Sequence, residues 1–395
     1  MRRDTTVSQR TTSLELFYDL VFVFAITQVS HLLLEHLTWE GAGQAALVLL
    51  VVWWSWNYTT WATNELDPDA TVVRLLLIAL MLASLLMAIA IPEAFGDRAL
   101  LFAVAYVVIQ VGRHGFLTFA AAAPGTPERE RALLILAWFA AAGVLWIAGG
   151  LADGTARTLL WLAALALDYA APLVTYRVPG RRRLAPEAWE VGTEHFSERF
   201  QLFIIIALGE TIVITGATTS ELELTTATIT AFAVAFLTTA ALWWLYFNLV
   251  AAISERRVAQ AEARTQLARD AYTYLHVVLV AAILLNAVGD ELVIAHPTEE
   301  LSGPELAATA GGPALYLFGH VLLRLRMSRT LATRRLTGAV ACVVIGLIGG
   351  AVSALVVAAL LLGVLVAVIV ADHVAGVHRR ARGEPSPLSR VGAAS

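Results

Sequence analysis

The segment EHFSERFQLFIIIALGET, residues 194–211, begins an apolar helix with charged side chains. Two acids, a histidine and an arginine stand at its start, and Glu210 lies about halfway along it, where water should be scarce. A carboxylate at such a depth needs a partner or a proton. The segment ELFYDLVFVFAITQ, residues 15–28, repeats the order of an acid, Phe, a hydroxyl residue and an acid before an apolar helix. The two segments indicate a duplicated membrane unit.

Composition assigns the chain to the multi-pass membrane proteins. Hydrophobic residues form 58% of the 395 residues and charged residues 15%, and the mean hydropathy is +0.72, whereas about a quarter of the residues in a soluble domain are charged. The lipid bilayer is therefore the expected partner, and nothing indicates nucleic acid. The single Cys342 lies in an apolar run, so no disulfide framework is expected. The sequence has neither a phosphate-binding loop nor a metal-ligand spacing, so no cofactor is predicted.

Twelve apolar segments are long enough to be membrane-spanning helices, since a hydrocarbon core of about 30 Å needs about 20 helical residues. We place them, in an all-α fold, at residues 14–36, 41–63, 70–92, 98–121, 131–151, 156–177, 195–218, 225–251, 268–290, 312–328, 335–352 and 355–377. The break at residues 349–353 divides an apolar run that is too long for one crossing. With both termini cytoplasmic, only Arg98 and Arg157 fall on the outer side. The positive-inside rule expects so uneven a distribution.

An internal repeat relates the two halves of the chain. The matching residues are Glu15 and Glu194, Trp53-Trp54 and Trp243-Trp244, and Asp168 and Asp372. Helices one to six then correspond to helices seven to twelve with the same orientation in the membrane, as in parallel-repeat transporters. The predicted organisation is a cytoplasmic tail, a six-helix repeat, a basic cytoplasmic linker, a second six-helix repeat and a cytoplasmic tail, at residues 1–13, 14–177, 178–193, 194–378 and 379–395.

Acids at the start of each repeat are the first candidate site. Glu15 and Asp19 are four residues apart, as are Glu194 and Glu198, so each pair shares a helical face. They either cap their helices and form ion pairs with neighbouring helices, or line a path in which Asp19 and Glu198 face each other across the pseudo-two-fold axis. The sequence leaves both interpretations open. The candidate path residues are Glu15, Asp19, Gln28, Asn57, Glu194, Glu198 and Glu210.

A second candidate is a network of charges within the spans. Asp168 and Asp372 are expected in the inner third of helices six and twelve, and buried charges persist mainly when they are paired. We therefore expect arginines as their partners, either in a structural network or in a gate. The candidate network residues are Arg74, Arg113, Asp168, Arg199, Arg324 and Asp372.

Three blocks in the chain resemble the bacterial low-temperature-requirement A (LtrA) family. They are SLELFYDLVFVFAIT at residues 13–27, the tryptophan-rich block WWSWNYTTW at residues 53–61, and the segment from Glu194 to Glu210. The three blocks arrive in the order of the family. The resemblance implies a multi-pass protein of the bacterial inner membrane, named after a growth phenotype, and it implies no particular molecular activity.

A shorter similarity bears on mechanism. Phe17-Tyr18-Asp19 and Phe196-Ser197-Glu198 are similar to the Phe-Ser-Asp motif that opens each six-helix repeat of the endolysosomal-type potassium channels, and they depart from it at Tyr18 and Glu198. In those channels the first helices of the repeats line the pore. We therefore expect transport of an ion, or proton-coupled transport of a small solute, between helices one and seven, with a monovalent cation or a proton as the ion.

Two other classes of function stay open. The first is a membrane-embedded enzyme or lipid-handling protein with Glu210, His276 and Asp290 as its acid/base set, although we expect no enzyme. The second is a structural or stress-response membrane protein that has no substrate. Homo-oligomerisation is compatible with each of these functions.

Overall fold

The computed structural model describes residues 11–181, 184, 189, 193–261 and 264–384. Within these residues the regular structure is helical, apart from one isolated β-bridge between Glu300 and Ser353. The prediction of an all-α fold is therefore confirmed for this part of the chain, which forms twelve continuous helical segments. They are α1 (Ser13–Glu35), α2 (Trp39–Thr63), α3 (Thr71–Glu93), α4 (Ala99–Ala121), α5 (Pro127–Leu151), α6 (Gly154–Ala170), α7 (Thr193–Ser220), α8 (Thr226–Gln260), α9 (Arg264–Ala295), α10 (Gly303–Ser328), α11 (Thr333–Ala351) and α12 (Ala354–Ala381).

Ten of these helices in the described residues are long and apolar enough to cross a membrane, so the predicted count of twelve crossings is not confirmed. The exceptions are α2 and α6. Helix α2 has 25 residues, but its second half is rich in hydroxyl and amide side chains. Helix α6 has 17 residues and is about 26 Å long, slightly less than the hydrocarbon core.

Helix α10 begins nine residues before its predicted start. The predicted start at residue 312 falls inside the helix, which begins at Gly303 and passes through Pro313. At the new start, Glu305 Oε2 accepts a hydrogen bond of 2.7 Å from the backbone N–H of Ser302. The predicted break between α11 and α12 is confirmed, because the α-helical part of α11 ends at Ile348 and α12 begins at Ala354.

Three helices contain a wider π-helical turn. These turns lie at Leu117–Ala121 in α4, Tyr246–Val250 in α8 and Arg269–Leu275 in α9. A π turn inserts an extra residue into the α-helical ladder and often occurs near functional side chains. Here Tyr246 Oη of the α8 turn lies 2.8 Å from Nε2 of His276, the residue that directly follows the α9 turn.

The chain divides into two compact units, and the first comprises Met1–Arg199. Helices α3 to α6 pack side by side in chain order, and α1 packs against α2 and α3. Helix α2 also contacts α4 and α6, and every residue from Val51 to Thr60 is buried. After α6 the chain turns sharply, with Thr175 and Tyr176 at positive φ angles of 56° and 51°. Helix α2 is thus the central helix of the first unit, and its polar residues are enclosed by other helices.

The second unit comprises Phe200–Ser395. Helices α9 to α12 pack in chain order, and α8 contacts α9 and α12. Small residues bring α9 and α10 together: a methyl group at Gly312 would lie 2.7 Å from the Cα of Asn286, and one at Gly289 would lie 2.7 Å from the Cα of Thr309. Such close approach is typical of helices packed in a bilayer. Most of the predicted basic linker lies outside the described residues.

Candidate functional site

A buried charge cluster lies where α1 begins, within the first unit. Glu15 and Asp19 come from the first two turns of α1, and His195 and Arg199 come from the first two turns of α7. All four side chains are at most 1% exposed. Each pair is four residues apart, so each helix presents both of its charged groups on one face. We call these four residues the charge cluster.

Asp19 is paired with Arg199. Arg199 Nε donates to Asp19 Oδ2 at 3.1 Å and Arg199 Nη2 donates to Asp19 Oδ1 at 2.5 Å, which makes a bidentate ion pair. Trp56 Nε1 of α2 donates to the same Oδ1 at 2.7 Å. These contacts therefore do not agree with the prediction that Asp19 and Glu198 face each other. Glu198 points about 100° away from Arg199 on the helix, and it accepts a hydrogen bond of 3.0 Å from the backbone N–H of Thr11.

Glu15 has two roles in the cluster. It caps the start of α1, since Glu15 Oε2 accepts from the backbone N–H and the hydroxyl of Thr12, each at 2.9 Å. Its other oxygen lies 3.0 Å from His195 Nε2 and 3.3 Å from Arg199 Nη1. The contacts of Glu15 therefore agree with one of the two interpretations drawn from the sequence, in which the acids cap their helices and form ion pairs.

His195 lies between two acceptors. Its Nδ1 is 3.2 Å from Asn64 Oδ1, and its Nε2 faces the Glu15 carboxylate. Both neighbours offer the imidazole an oxygen that can accept a hydrogen bond. The charge cluster therefore brings two carboxylates into contact with one guanidinium and one imidazole.

Arg113 of α4 lies in a second buried group. Its Nη1 donates to Thr59 Oγ1 at 2.9 Å and to the backbone oxygen of Ser55 at 3.3 Å, and its Nη2 donates to Gln110 Oε1. Tyr18 Oη lies 2.9 Å from the same Thr59 hydroxyl. Among the described residues, no carboxylate lies within ion-pair distance of Arg113. The guanidinium is nevertheless fully buried.

Asp168 of α6 lies in a third buried group. Tyr106 Oη donates to Asp168 Oδ2 at 2.7 Å, and Trp146 Nε1 donates to the same oxygen at 2.9 Å. The carboxylate is 2% exposed, and no arginine in the described part of the chain is within ion-pair distance. The predicted pairing of Asp168 with an arginine is therefore wrong. Neutral donors from α4 and α5 take that place, because the neighbouring faces of these helices present aromatic side chains.

The three groups form a polar column inside the first unit. Tyr106, Gln110 and Arg113 lie four and three residues apart on α4, so they share one face of the helix. About 10 Å of helix axis separates Tyr106 from Arg113. At the other end, Tyr18 of the Arg113 group is the neighbour of Asp19 in the chain, and Thr59 and Trp56, which contact these two residues, lie three apart on α2. We use the name polar column for the charge cluster, the Arg113 group and the Asp168 group together.

The other predicted path residues have varied surroundings. Gln28 is half-buried, whereas Asn57 and Glu210 are buried. Next to Glu210, Thr211 Oγ1 lies 3.0 Å from Thr239 Oγ1. The side chain of Glu194 lies outside the described residues. Roles for these residues in a path stay predictions.

The remaining members of the predicted charge network lie at the surface. Arg74 pairs with Asp69 at 2.7 Å, and Arg324 donates to Thr330 Oγ1 at 3.1 Å. Asp372 does pair with arginines, as expected, but they are Arg334 and Arg335 and not the predicted Arg324. Asp372 pairs with these two arginines because the turn between α10 and α11 places the start of α11 against α12.

Two members of the acid/base set considered for an enzyme lie far apart. His276 and Asp290 lie 14 residues apart on α9, which corresponds to about 21 Å along the helix axis. His276 accepts from Tyr246 and contacts the backbone oxygen of Ala271 at 2.8 Å, while Asp290 accepts from Asn286 at 2.7 Å. In the described residues, no three His, Cys, Asp or Glu side chains are arranged to hold a metal ion.

Sequence reasoning missed the neutral donors of the column. Tyr18, Tyr106 and Trp146 resemble packing residues in an apolar run, and only their hydroxyl and indole groups signal a need for partners when buried. The signal that was available is the occurrence of Tyr106, Gln110 and Arg113 at helical spacing.

Comparison with known proteins identifies the family. The profile of the bacterial low temperature requirement A protein (LtrA) matches residues 10–371. The chain is also 37% identical over 332 residues to the uncharacterized protein RA0937 of Rhizobium meliloti (strain 1021), an alignment that covers 84% of this chain and 81% of the relative. No solved structure matches the chain. Its ten apolar helices make it a multi-pass membrane protein, and the chain belongs to the bacterial LtrA family.

Proposed function

We propose that the protein transports a small solute across the bacterial inner membrane in a process coupled to protons, and that the polar column is part of the path. One observation carries the proposal: among the described residues of the first unit, the buried acid Asp168 has no cation beside it and the buried cation Arg113 has no acid beside it. Each uncompensated buried charge costs several kcal/mol. Ionisable groups inside a membrane protein are usually retained for proton relays or substrate sites.

Asp168 is the proposed proton carrier. A carboxyl group that is enclosed by Tyr106 and Trp146, with no cation beside it, is held more easily as the neutral acid than as the anion. Binding of a proton to Asp168 and its later release would then change the charge within the polar column. The charge cluster, where α1 and α7 begin, is the proposed entrance, in keeping with the path expected between these two helices.

The arrangement in the membrane is also proposed. An even number of crossings, whether ten or twelve, puts both termini on the same side, and the arginine distribution favours the cytoplasm for that side. Two parallel six-helix repeats are supported by the similar packing order of α3 to α6 and of α9 to α12. Thiol labelling of single cysteines at Ser8 and Gly383, in a Cys342→Ser background, tests the side on which the termini lie.

Flux measurements in liposomes test the transport proposal. The purified protein is reconstituted with a pH-sensitive dye inside, and a membrane potential, a K⁺ gradient or a Na⁺ gradient is imposed. We expect proton movement with the wild-type protein and loss of that movement with Asp168→Asn. Asp372→Asn is the matched control, because Asp372 is the sequence-equivalent acid at the surface, and it should retain the flux.

Folding controls accompany these variants. Size-exclusion profiles and tryptophan fluorescence should be the same for the wild-type protein and for both variants before the flux results are compared. An absence of proton, K⁺ and Na⁺ movement with the folded wild-type protein would contradict the proposal. Equal losses in the Asp168 and Asp372 variants would exclude Asp168 as the proton carrier.

A further inference from the structure

Arg113 is a fully buried cation, and no described residue of the first unit is its acid partner. Its side chain is 0% exposed. The rings of Tyr58 and Phe139 lie 5.6 Å and 5.9 Å from its guanidinium carbon. Aromatic faces attract a cation but leave its charge uncompensated. The nearby acids are engaged elsewhere, since Asp19 pairs with Arg199 and Asp168 accepts from Tyr106 and Trp146.

Two hydrogen-bond donors of this group have no partner. Arg113 Nη2 can only donate, so the Gln110 atom that accepts from it is the oxygen Oε1, and the amide nitrogen of Gln110 does not take part in this bond. That nitrogen and Arg113 Nε are both buried and both lack a hydrogen-bond partner. The surroundings of Arg113 thus present a positive charge together with two unused donors on adjacent side chains.

Only a negatively charged acceptor would both compensate the guanidinium charge and accept the unused hydrogen bonds. A buried water molecule would accept the hydrogen bonds, but it would not compensate the guanidinium in a medium of low dielectric constant. An anion beside Arg113 Nε and Gln110 Nε2 would do both, through charge-assisted hydrogen bonds. The side chains around the site are buried, so the guest consists of a few atoms only.

We propose that Arg113 and Gln110 bind a small monovalent anion of the size of a halide, nitrate or formate. The proposal that an anion binds is argued from the contacts of Arg113 alone. The further proposal that this anion is the transported solute rests on the proposed function. Loss of binding and loss of flux are therefore separate results, and the tests below measure binding without a gradient.

The first test follows thermal unfolding of the purified protein in detergent. Sodium gluconate, whose anion is too large for the site, is replaced stepwise by sodium chloride, nitrate or formate at constant ionic strength. Binding to the folded state raises the unfolding midpoint, so we expect the wild-type midpoint to rise with at least one small anion and then to level off. Arg113→Met should remove this dependence. Arg74→Met, which removes an exposed arginine of the same unit, should retain it.

The second test supplies an internal counter-ion. Gln110→Glu places a carboxylate beside Arg113 with almost no change in side-chain shape, and Gln110→Met removes the donor without adding charge. We expect the glutamate variant to unfold at a higher temperature than the wild-type protein in gluconate and to lose the dependence on small anions. The methionine variant should unfold at a lower temperature than the glutamate variant.

Two results would overturn the anion site. One is a wild-type midpoint that does not respond to any of the three anions. The other is a response that is equal in the wild-type protein and in Gln110→Glu, since a carboxylate beside Arg113 should exclude the guest. The second comparison holds even if Arg113→Met fails to fold.

Discussion

Asp168 in α6 and Asp372 in α12 match in the predicted repeat, but their surroundings differ. Asp168 is 2% exposed and accepts from Tyr106 and Trp146, whereas the side chain of Asp372 is 38% exposed and lies 3.3 Å from Arg334. The first acid is enclosed with neutral donors, and the second is paired at a surface. Matching positions in the sequence therefore do not imply matching roles.

The paired tryptophans show the same difference. Trp53 and Trp54 in α2 are 1% and 0% exposed, and Trp54 stacks on Tyr169 with ring centroids 3.8 Å apart. Trp243 and Trp244 in α8 are 46% and 49% exposed. Helix α2 is enclosed by its neighbours, whereas this part of α8 presents its indoles outward. At these two pairs of matched positions, the first unit encloses the side chains and the second presents them at a surface.

Removing one arginine from each unit should give the largest difference. Arg199→Met leaves Asp19 and Glu15 buried without their guanidinium, and we expect a loss of about 3–5 kcal/mol in the free energy of unfolding. Arg334→Met removes an exposed partner of Asp372 and should cost about 0–1 kcal/mol. Unfolding in mixed micelles with increasing SDS, followed by tryptophan fluorescence, measures both. Similar losses in the two variants would contradict the difference between the units.

Buried tyrosines should give a smaller difference. Tyr106→Phe removes a donor to the Asp168 carboxyl group, and Tyr316→Phe removes a donor to the backbone oxygen of Leu242, which lies at 2.9 Å. Hydrogen bonds to charged groups contribute about 1.5–3 kcal/mol and neutral ones about 0.5–1.5 kcal/mol. Because Asp168 is proposed to be held as the neutral acid, we expect the two losses to be about equal. A clearly larger loss for Tyr106→Phe would show that Asp168 is ionised in the resting protein and would contradict the proposed proton carrier.

Helix caps should give the smallest difference. Thr12→Ala removes a hydroxyl that donates to Glu15 in the charge cluster, and we expect a loss of about 1 kcal/mol. Ser302→Ala changes the exposed start of α10 and should cost about 0.5 kcal/mol. The same micelle titration measures both variants, with Thr38→Ala at the start of α2 as a further capping control. A larger loss for the Ser302 variant would show that the cluster does not depend on its cap.

The helices could be predicted from the sequence because a bilayer requires apolar runs of a certain length. The start of α10 was missed because Gly311-Gly312-Pro313 has the composition of a turn. Inside a membrane bundle the same residues allow a close approach to α9, and proline is tolerated where neighbouring helices enclose the backbone.

The site was predicted in part. The four-residue spacing of acids in α1 identified Glu15 and Asp19 as a unit, and Arg199 was expected in a charge network. The contact between Asp19 and Arg199 joins residues that are 180 positions apart in the chain. The spacing of residues within a helix cannot predict a contact between such distant positions. The donors to Asp168 were missed for another reason: an arginine is conspicuous in an apolar helix, while a tyrosine or tryptophan is ordinary there until its neighbour is known.

One oxygen of Glu15 serves two structures at once. Its Oε2 accepts from the backbone and hydroxyl of Thr12 and also lies 3.2 Å from His195 Nε2. The first turn of α1 and the contacts of the cluster are consequently linked, so removal of the His195 imidazole should loosen the beginning of that helix. Faster deuterium uptake at the amides of residues 12–16 in a His195→Ala variant would measure how far the second helix steadies the first.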